Sequence, residues 1–198
     1  MNAADRLKHT RRLGIVVVVL TVGLMILGSW VKATGSGLSC PDWPQCYGQW
    51  LPPFPSAENG GMDPDAVDPA DAYTQAQVLY EWAHRLVASV LGIPLIAFTV
   101  LAWMGKKHHP ALRGLPLASL GILVIQVGLG GITVLGKNAA PLTTAHLATA
   151  TLFLLTVTIA TCFAWLQPWR TAPRPVKRRP DQDAAPLPHE QSKFPGEE

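Results

Sequence analysis

Apolar residues in this chain are gathered into four long runs, with charge confined to the gaps between them. There are 19 consecutive residues without Lys, Arg, Asp or Glu between Arg12 and Lys32, and 20 between Arg85 and Lys106. A further 23 lie between Arg113 and Lys137, and 32 between Lys137 and Arg170. Each run reaches the roughly 17–25 apolar residues that a helix needs to cross a ~30 Å hydrocarbon core. The pattern predicts an all-α integral membrane protein, a four-transmembrane-helix bundle with spans at 13–33, 78–105, 115–136 and 142–168. Connecting segments then fall at 1–12, 34–77, 106–114 and 137–141, and 169–198 forms a tail. A soluble globular domain, a secreted disulfide scaffold and a nucleic-acid-binding module are all excluded.

The net charge of +3 says less than its placement. Thirteen of the 16 Lys and Arg fall on one predicted side, in the segment before span one, the segment between spans two and three, and the tail. The other side carries only Lys32, Arg85 and Lys137, all near a span end. From Ala33 to His84 there is no Lys or Arg but seven acidic residues. The positive-inside bias puts both termini in the cytoplasm and this acidic segment outside, as a multi-pass protein of the cell (inner) membrane. Trp30, Trp82, Trp103, Trp165 and Trp169 lie near span ends, where indole rings anchor to headgroups. The first span exceeds a signal-peptide core and the following VKATGSG lacks a small-x-small cleavage pattern, so it is expected to stay in the protein.

Proline refines this outline. Fourteen of 18 prolines fall in the outer segment from Pro41 to Pro69 and in the tail from Pro168 to Pro195. The stretch PPFPSAENGGMDPDAVDPAD reads as an irregular outer excursion, and the tail as disordered. Pro94 sits inside the second span, where a distortion is tolerated. Pro116 and Pro141 are expected at the starts of spans three and four, where a missing N–H costs little.

Ionisable residues inside a membrane are expensive, and they mark function by default. Here they are few: His146 in the fourth span, and Glu81, His84 and Arg85 in VLYEWAHRLVAS at the outer entry of the second, with the polar Gln126 in the third. Counted back from the inner ends of their helices, His84 and His146 come out at the same depth, near the outer leaflet. Two depth-matched imidazoles on facing helices can bind a haem iron axially, or each can hydrogen-bond within the bundle. Glu81 and His84 have the E-x-x-H spacing of di-iron bundles, but no other carboxylate lies in any span to complete such a site. Glu81 shares a helix face with His84, and also stands four residues before Arg85. It reads either as an i, i+4 ion pair or as a carboxylate beside a haem edge. Gly121, Gly128, Gly130 and Gly131 strip bulk from span three, which suits a close helix neighbour or a flat macrocycle equally. Cys40 and Cys46, in SCPDWPQC on the outer side, suit a disulfide, either as a structural staple or as a redox pair. Cys162 reads as a small packing residue.

Four segments in order, VKATGSGLSCPDWPQCYGQ, EWAHR, QVGLGGITVL and TTAHLATA, resemble the heme A synthase family of cytochrome oxidase assembly. The resemblance runs from about Val31 to about Ala150 and leaves out the tail and most of the Pro/Asp loop. It implies an enzyme that oxidises a ring methyl of heme O to the formyl of heme A, with haem (heme b and/or substrate heme O) as cofactor. It implies haem-iron ligation by His84 and His146, a catalytic carboxylate at Glu81 and an outer-loop disulfide between Cys40 and Cys46. Bacterial members resemble two tandem four-helix halves, of which this chain looks like the catalytic one. The implied partners are a second copy or a separate second half, heme O synthase, an electron donor and membrane lipid. Two other readings of the histidines stay open: a bis-histidine b-type cytochrome, and a non-enzymatic haem-handling assembly factor.

Overall fold

A computed structural model describes residues 1–51, 73–105 and 110–167. The Pro/Asp excursion, Lys106 and Lys107, and the tail therefore lie outside the described residues. Four helices follow in order: α1 (Ala3–Ala33), α2 (Gln75–Met104), α3 (Pro110–Leu135) and α4 (Ala140–Leu166). Each is long and apolar enough to cross a membrane, which makes this a multi-pass membrane protein. α1 continues through the basic cluster ahead of its apolar run, and Pro116, expected at a span start, lies inside α3.

Neighbours in sequence pack side by side, and α1 closes the ring against α4. α2 and α4 stand on one diagonal and α1 and α3 on the other, with no direct backbone approach across either. The centre is filled by Val17, Leu91, Leu95, Phe98, Leu123, Phe153 and Val157. Gly14 of α1 lets α4 approach closely at Thr161; an added Cβ would lie 2.7 Å from the threonine hydroxyl. Thr99 of α2 donates to Leu95 O and to Pro116 O of α3, at 2.8 and 3.3 Å. The outward threonines of α4, among them Thr149, Thr151 and Thr156, bond carbonyls one turn back. Their hydroxyls are thus satisfied without a partner helix.

Arginines close one end of the bundle. Helix C-termini leave unpaired carbonyls and a partial negative charge. Arg11 of α1, only 5% exposed, donates to Ala164 O, Trp165 O and Gln167 O at 3.0, 3.2 and 2.6 Å. Its guanidinium also lies 5.3 Å from the Trp165 ring centroid. Arg6 and Arg113 reach Met104 O and Gly105 O at the end of α2. These residues, read from the sequence as topology signals, are also the caps that lock α1 onto α2 and α4, and α3 onto α2. Arg11→Ala is expected to cost about 2–3 kcal/mol, several charge-assisted bonds being lost at once. Unfolding of the full chain in detergent checks this.

At the opposite end, Gln77 ties the start of α2 to the end of α1 through Thr34 O at 3.0 Å, and also completes a capping box with Thr74. α3 and α4 are joined by a tight turn in which Lys137 and Asn138 both take positive φ, 50° and 55°. The Asn138 amide rests on Gly37, where a Cβ would meet it at 2.9 Å. This end carries the site.

Candidate functional site

Two groups of residues converge at the loop end, one holding a loop and the other facing inward. The loop runs from Ser39 to Gln49. Cys40 and Cys46 are disulfide-bonded, with Cα atoms 4.8 Å apart. The Asp42 carboxylate accepts from Tyr47 N and Gly48 N, which lets the chain turn at two residues of positive φ. Both cysteines are buried with Val78, against Tyr47, Tyr73 and Trp82. Burial pushes the Tyr47 phenol above its ordinary range, with the Glu81 carboxylate adding to the effect, so it remains a neutral donor at physiological pH.

Glu81 and Arg85, one turn apart on α2, grip this loop. Glu81 is 3% exposed. One carboxylate oxygen accepts from Cys40 N at 2.8 Å and Ser39 Oγ at 3.0 Å, and the other from Arg85 Nη2 at 2.5 Å. Arg85 Nη1 donates to Asp42 O and Gln45 O, and Nη2 reaches Cys40 O at 3.2 Å. The i, i+4 ion pair is therefore present, but it lies under the loop instead of at an open surface. A carboxylate has about four acceptor positions, so Glu81 keeps roughly one free.

His84 and His146 belong to the inward group. His84 precedes Met104, and His146 precedes Leu166, by the same 20 residues, or about 30 Å of helix. They sit on the diagonal pair α2 and α4. Each ring lies beside a glycine of the other diagonal. A Cβ on Gly28 of α1 would meet His84 Cε1 at 2.9 Å, and one on Gly130 of α3 would meet His146 Cε1 at 3.3 Å. Nδ1 of both rings is buried without a hydrogen-bond partner. Gln126 of α3 approaches His146 Nε2 at 3.3 Å, and its own Oε1 is buried and unpaired. Among the described residues no group of three or more His, Cys, Asp or Glu could hold a metal ion. The donor set here is two imidazoles.

The span-three glycines divide by position. Gly130 faces His146 and Gly131 receives the Trp43 indole of the loop, at 2.8 Å from a would-be Cβ. Gly121 and Gly128 have nothing within 4 Å. Cys162, expected to pack, is exposed instead, because α4 turns that position outward. Sequence reasoning passed over Gly28, Trp43 and Ser39. Gly28 carried a weak signal, as one of two glycines in the otherwise bulky second half of span one.

Residues 11–187 match the family model described as cytochrome oxidase assembly protein. The chain belongs to this family. Among curated proteins it is 31% identical over 133 residues to a heme A synthase of Shouchella clausii, covering 66% of this chain and 38% of that protein. It is 28% identical over 160 residues to a heme A synthase of Alkalihalophilus pseudofirmus, covering 78% of this chain and 47% of that one. A protoheme IX farnesyltransferase of Halobacterium salinarum is also similar, 28% identical over 124 residues, covering 63% of this chain and 23% of that protein. The chain thus spans less than half the length of these relatives. No solved structure matches. Membership of the cytochrome oxidase assembly family is consistent with a haem-modifying membrane enzyme, and it gives the two orphaned imidazoles a chemical context.

Proposed function

We propose that this chain is a heme A synthase-like oxidoreductase of the inner membrane, with both termini cytoplasmic, that oxidises a ring methyl of heme O to the formyl of heme A. One observation carries the reading: in a chain of this family, imidazoles on diagonal helices lie at equal depth with buried nitrogens that no protein group satisfies. The fit to haem is chemical as well as positional. His84 and His146 would hold the haem iron through their imidazole nitrogens, and Gly28 and Gly130 let the two rings pack closely against α1 and α3. Haem would supply iron redox chemistry and, as heme O, the methyl group to be oxidised.

The chain's own residues supply the rest. His84 and His146 hold and orient. Glu81 anchors the disulfide loop and keeps about one acceptor position for a proton or a positive charge near His84. Arg85 fixes that carboxylate and the loop together. Trp43, seated on Gly131, docks the loop onto α3. Gly28→Leu is expected to lower the haem content of the purified protein at least about tenfold by displacing the His84 ring that packs against Gly28. Gly23→Leu, at a position with nothing within 4 Å, should leave it unchanged; pyridine haemochrome analysis of the two compares them.

Length bears on partners. The matched stretch covers 38% and 47% of the two heme A synthases, and a second copy or a separate second half is the proposed partner. A heme O synthase is proposed as its neighbour in the membrane. Taking a methyl to a formyl removes electrons and adds an oxygen atom, so an oxidant that also supplies oxygen, such as dioxygen, acts together with the electron donor to complete the set.

A second reading, a bis-histidine b-type electron carrier, is favoured by one observation: Glu81 is already engaged by Ser39, Cys40 and Arg85, and so has a structural task. Expression in cells that make heme O but lack a heme A synthase separates the readings. Heme A in the membranes supports the enzyme. Its absence where the protein is present and holds haem supports the carrier.

A further inference from the structure

Gln126 is the polar side chain of the spans that the proposed chemistry leaves without a task. It lies one turn before Gly130 on α3, so both address the same ring: Gly130 receives Cε1 of His146 and Gln126 meets Nε2. The contact is 3.3 Å between the amide nitrogen and Nε2. The roles in this contact depend on the ring tautomer; with the amide nitrogen as donor, His146 Nε2 accepts and the ring proton resides on Nδ1. That is the tautomer a ring needs in order to offer Nε2 to a metal. The amide therefore occupies the lone pair that an iron would take. His84, by contrast, makes no hydrogen bond among the described residues, and its Nδ1 is buried unpaired.

Resting on the haem reading above, we infer that Gln126 is a displaceable placeholder for His146. It keeps the ring in the ligating tautomer while the site is free, gives way when the site loads, and recaptures Nε2 on release. The two ligands then differ in kind. His84 is the standing ligand, and His146 the exchangeable one whose release Gln126 assists. A site whose haem is both substrate and product needs such an exit.

Because the amide bond is made only in the free protein, removing it must strengthen haem retention. Leu has nearly the volume of Gln and suits an apolar helix, so Gln126→Leu is expected to retain its fold. Gln126→Asn keeps an amide one methylene too short to reach Nε2, and serves as the second variant. The experiment partitions hemin between the full chain in detergent and apomyoglobin. Wild type is expected to show a bis-imidazole low-spin spectrum. Both variants should keep that spectrum while shifting the partition about two- to tenfold toward this chain, the weight of one neutral hydrogen bond. An unchanged partition, a shift toward apomyoglobin, or loss of the low-spin signature in the variants overturns the placeholder. A wild type without a bis-imidazole spectrum overturns the haem reading, and the placeholder with it.

Discussion

Glu81→Ala is expected to destabilise the protein by about 3–5 kcal/mol, a large effect for one substitution. Among the described residues the carboxylate is the only acidic partner of a guanidinium that is itself mostly buried, the two side chains being 4% and 14% exposed. Removing it leaves Arg85 as an uncompensated charge beneath the loop. It also leaves Cys40 N–H and Ser39 Oγ–H without their acceptor. Glu81→Gln should cost much less, because a carbonyl oxygen can still accept from Ser39 and Cys40 while only the ion pair is lost. This difference in fold gives the functional test its value. In the enzyme reading, Glu81→Gln keeps the loop and haem but lowers conversion of heme O by at least about 100-fold, the scale of a lost acid or base. In the carrier reading, the same variant keeps both its spectrum and its redox cycling. Thermal unfolding beside haem product analysis of the two variants separates the structural task from the chemical one.

His84→Ala and His146→Ala are each expected to abolish the bis-imidazole low-spin spectrum and to bring heme A formation below detection. The expectation rests on the absence of substitutes. Among the described residues no third histidine or cysteine faces the same space, and Cys162 is exposed on α4. The two losses should not be identical. His84 stands against Gly28 with no hydrogen bond among the described residues, whereas His146 is held by Gln126. His84→Ala removes the standing ligand and should leave the protein haem-free. His146→Ala should retain some haem in a high-spin, one-imidazole state. Optical and electron paramagnetic resonance spectra at equal protein concentration read both outcomes.

How much of this was legible in the sequence depended on how local the physics was. Span length and charge placement are local, so four membrane helices followed directly from the charge-free runs. Equal depth for His84 and His146 is a matter of counting along helices of fixed rise, and it recurs in the helix bounds. The Glu81–Arg85 pair was visible as an i, i+4 spacing. What could not be read was its surroundings, because Arg85 bonds Cys40, Asp42 and Gln45 across a gap of 40 residues or more, along a path set by the loop's turns. Arg11 looked like a charge at a membrane boundary, and only the ring closure of α1 on α4 makes it a helix cap. Gly28 and Trp43 escaped notice for the same reason: the neighbour that gives each one meaning lies on another element. Cys162 shows the reverse failure, since an apolar setting in sequence does not say which face of a helix turns inward.

The central claim is that the site between His84 and His146 transforms the haem it holds. Chromatography of the haems extracted from the full chain, purified from cells supplied with heme O, tests it most directly. The account predicts heme A, or its hydroxylated precursor, alongside heme O in the wild-type protein, and neither product in Glu81→Gln. Recovery of heme O or heme b alone, from wild-type protein with an intact bis-imidazole spectrum, would contradict it.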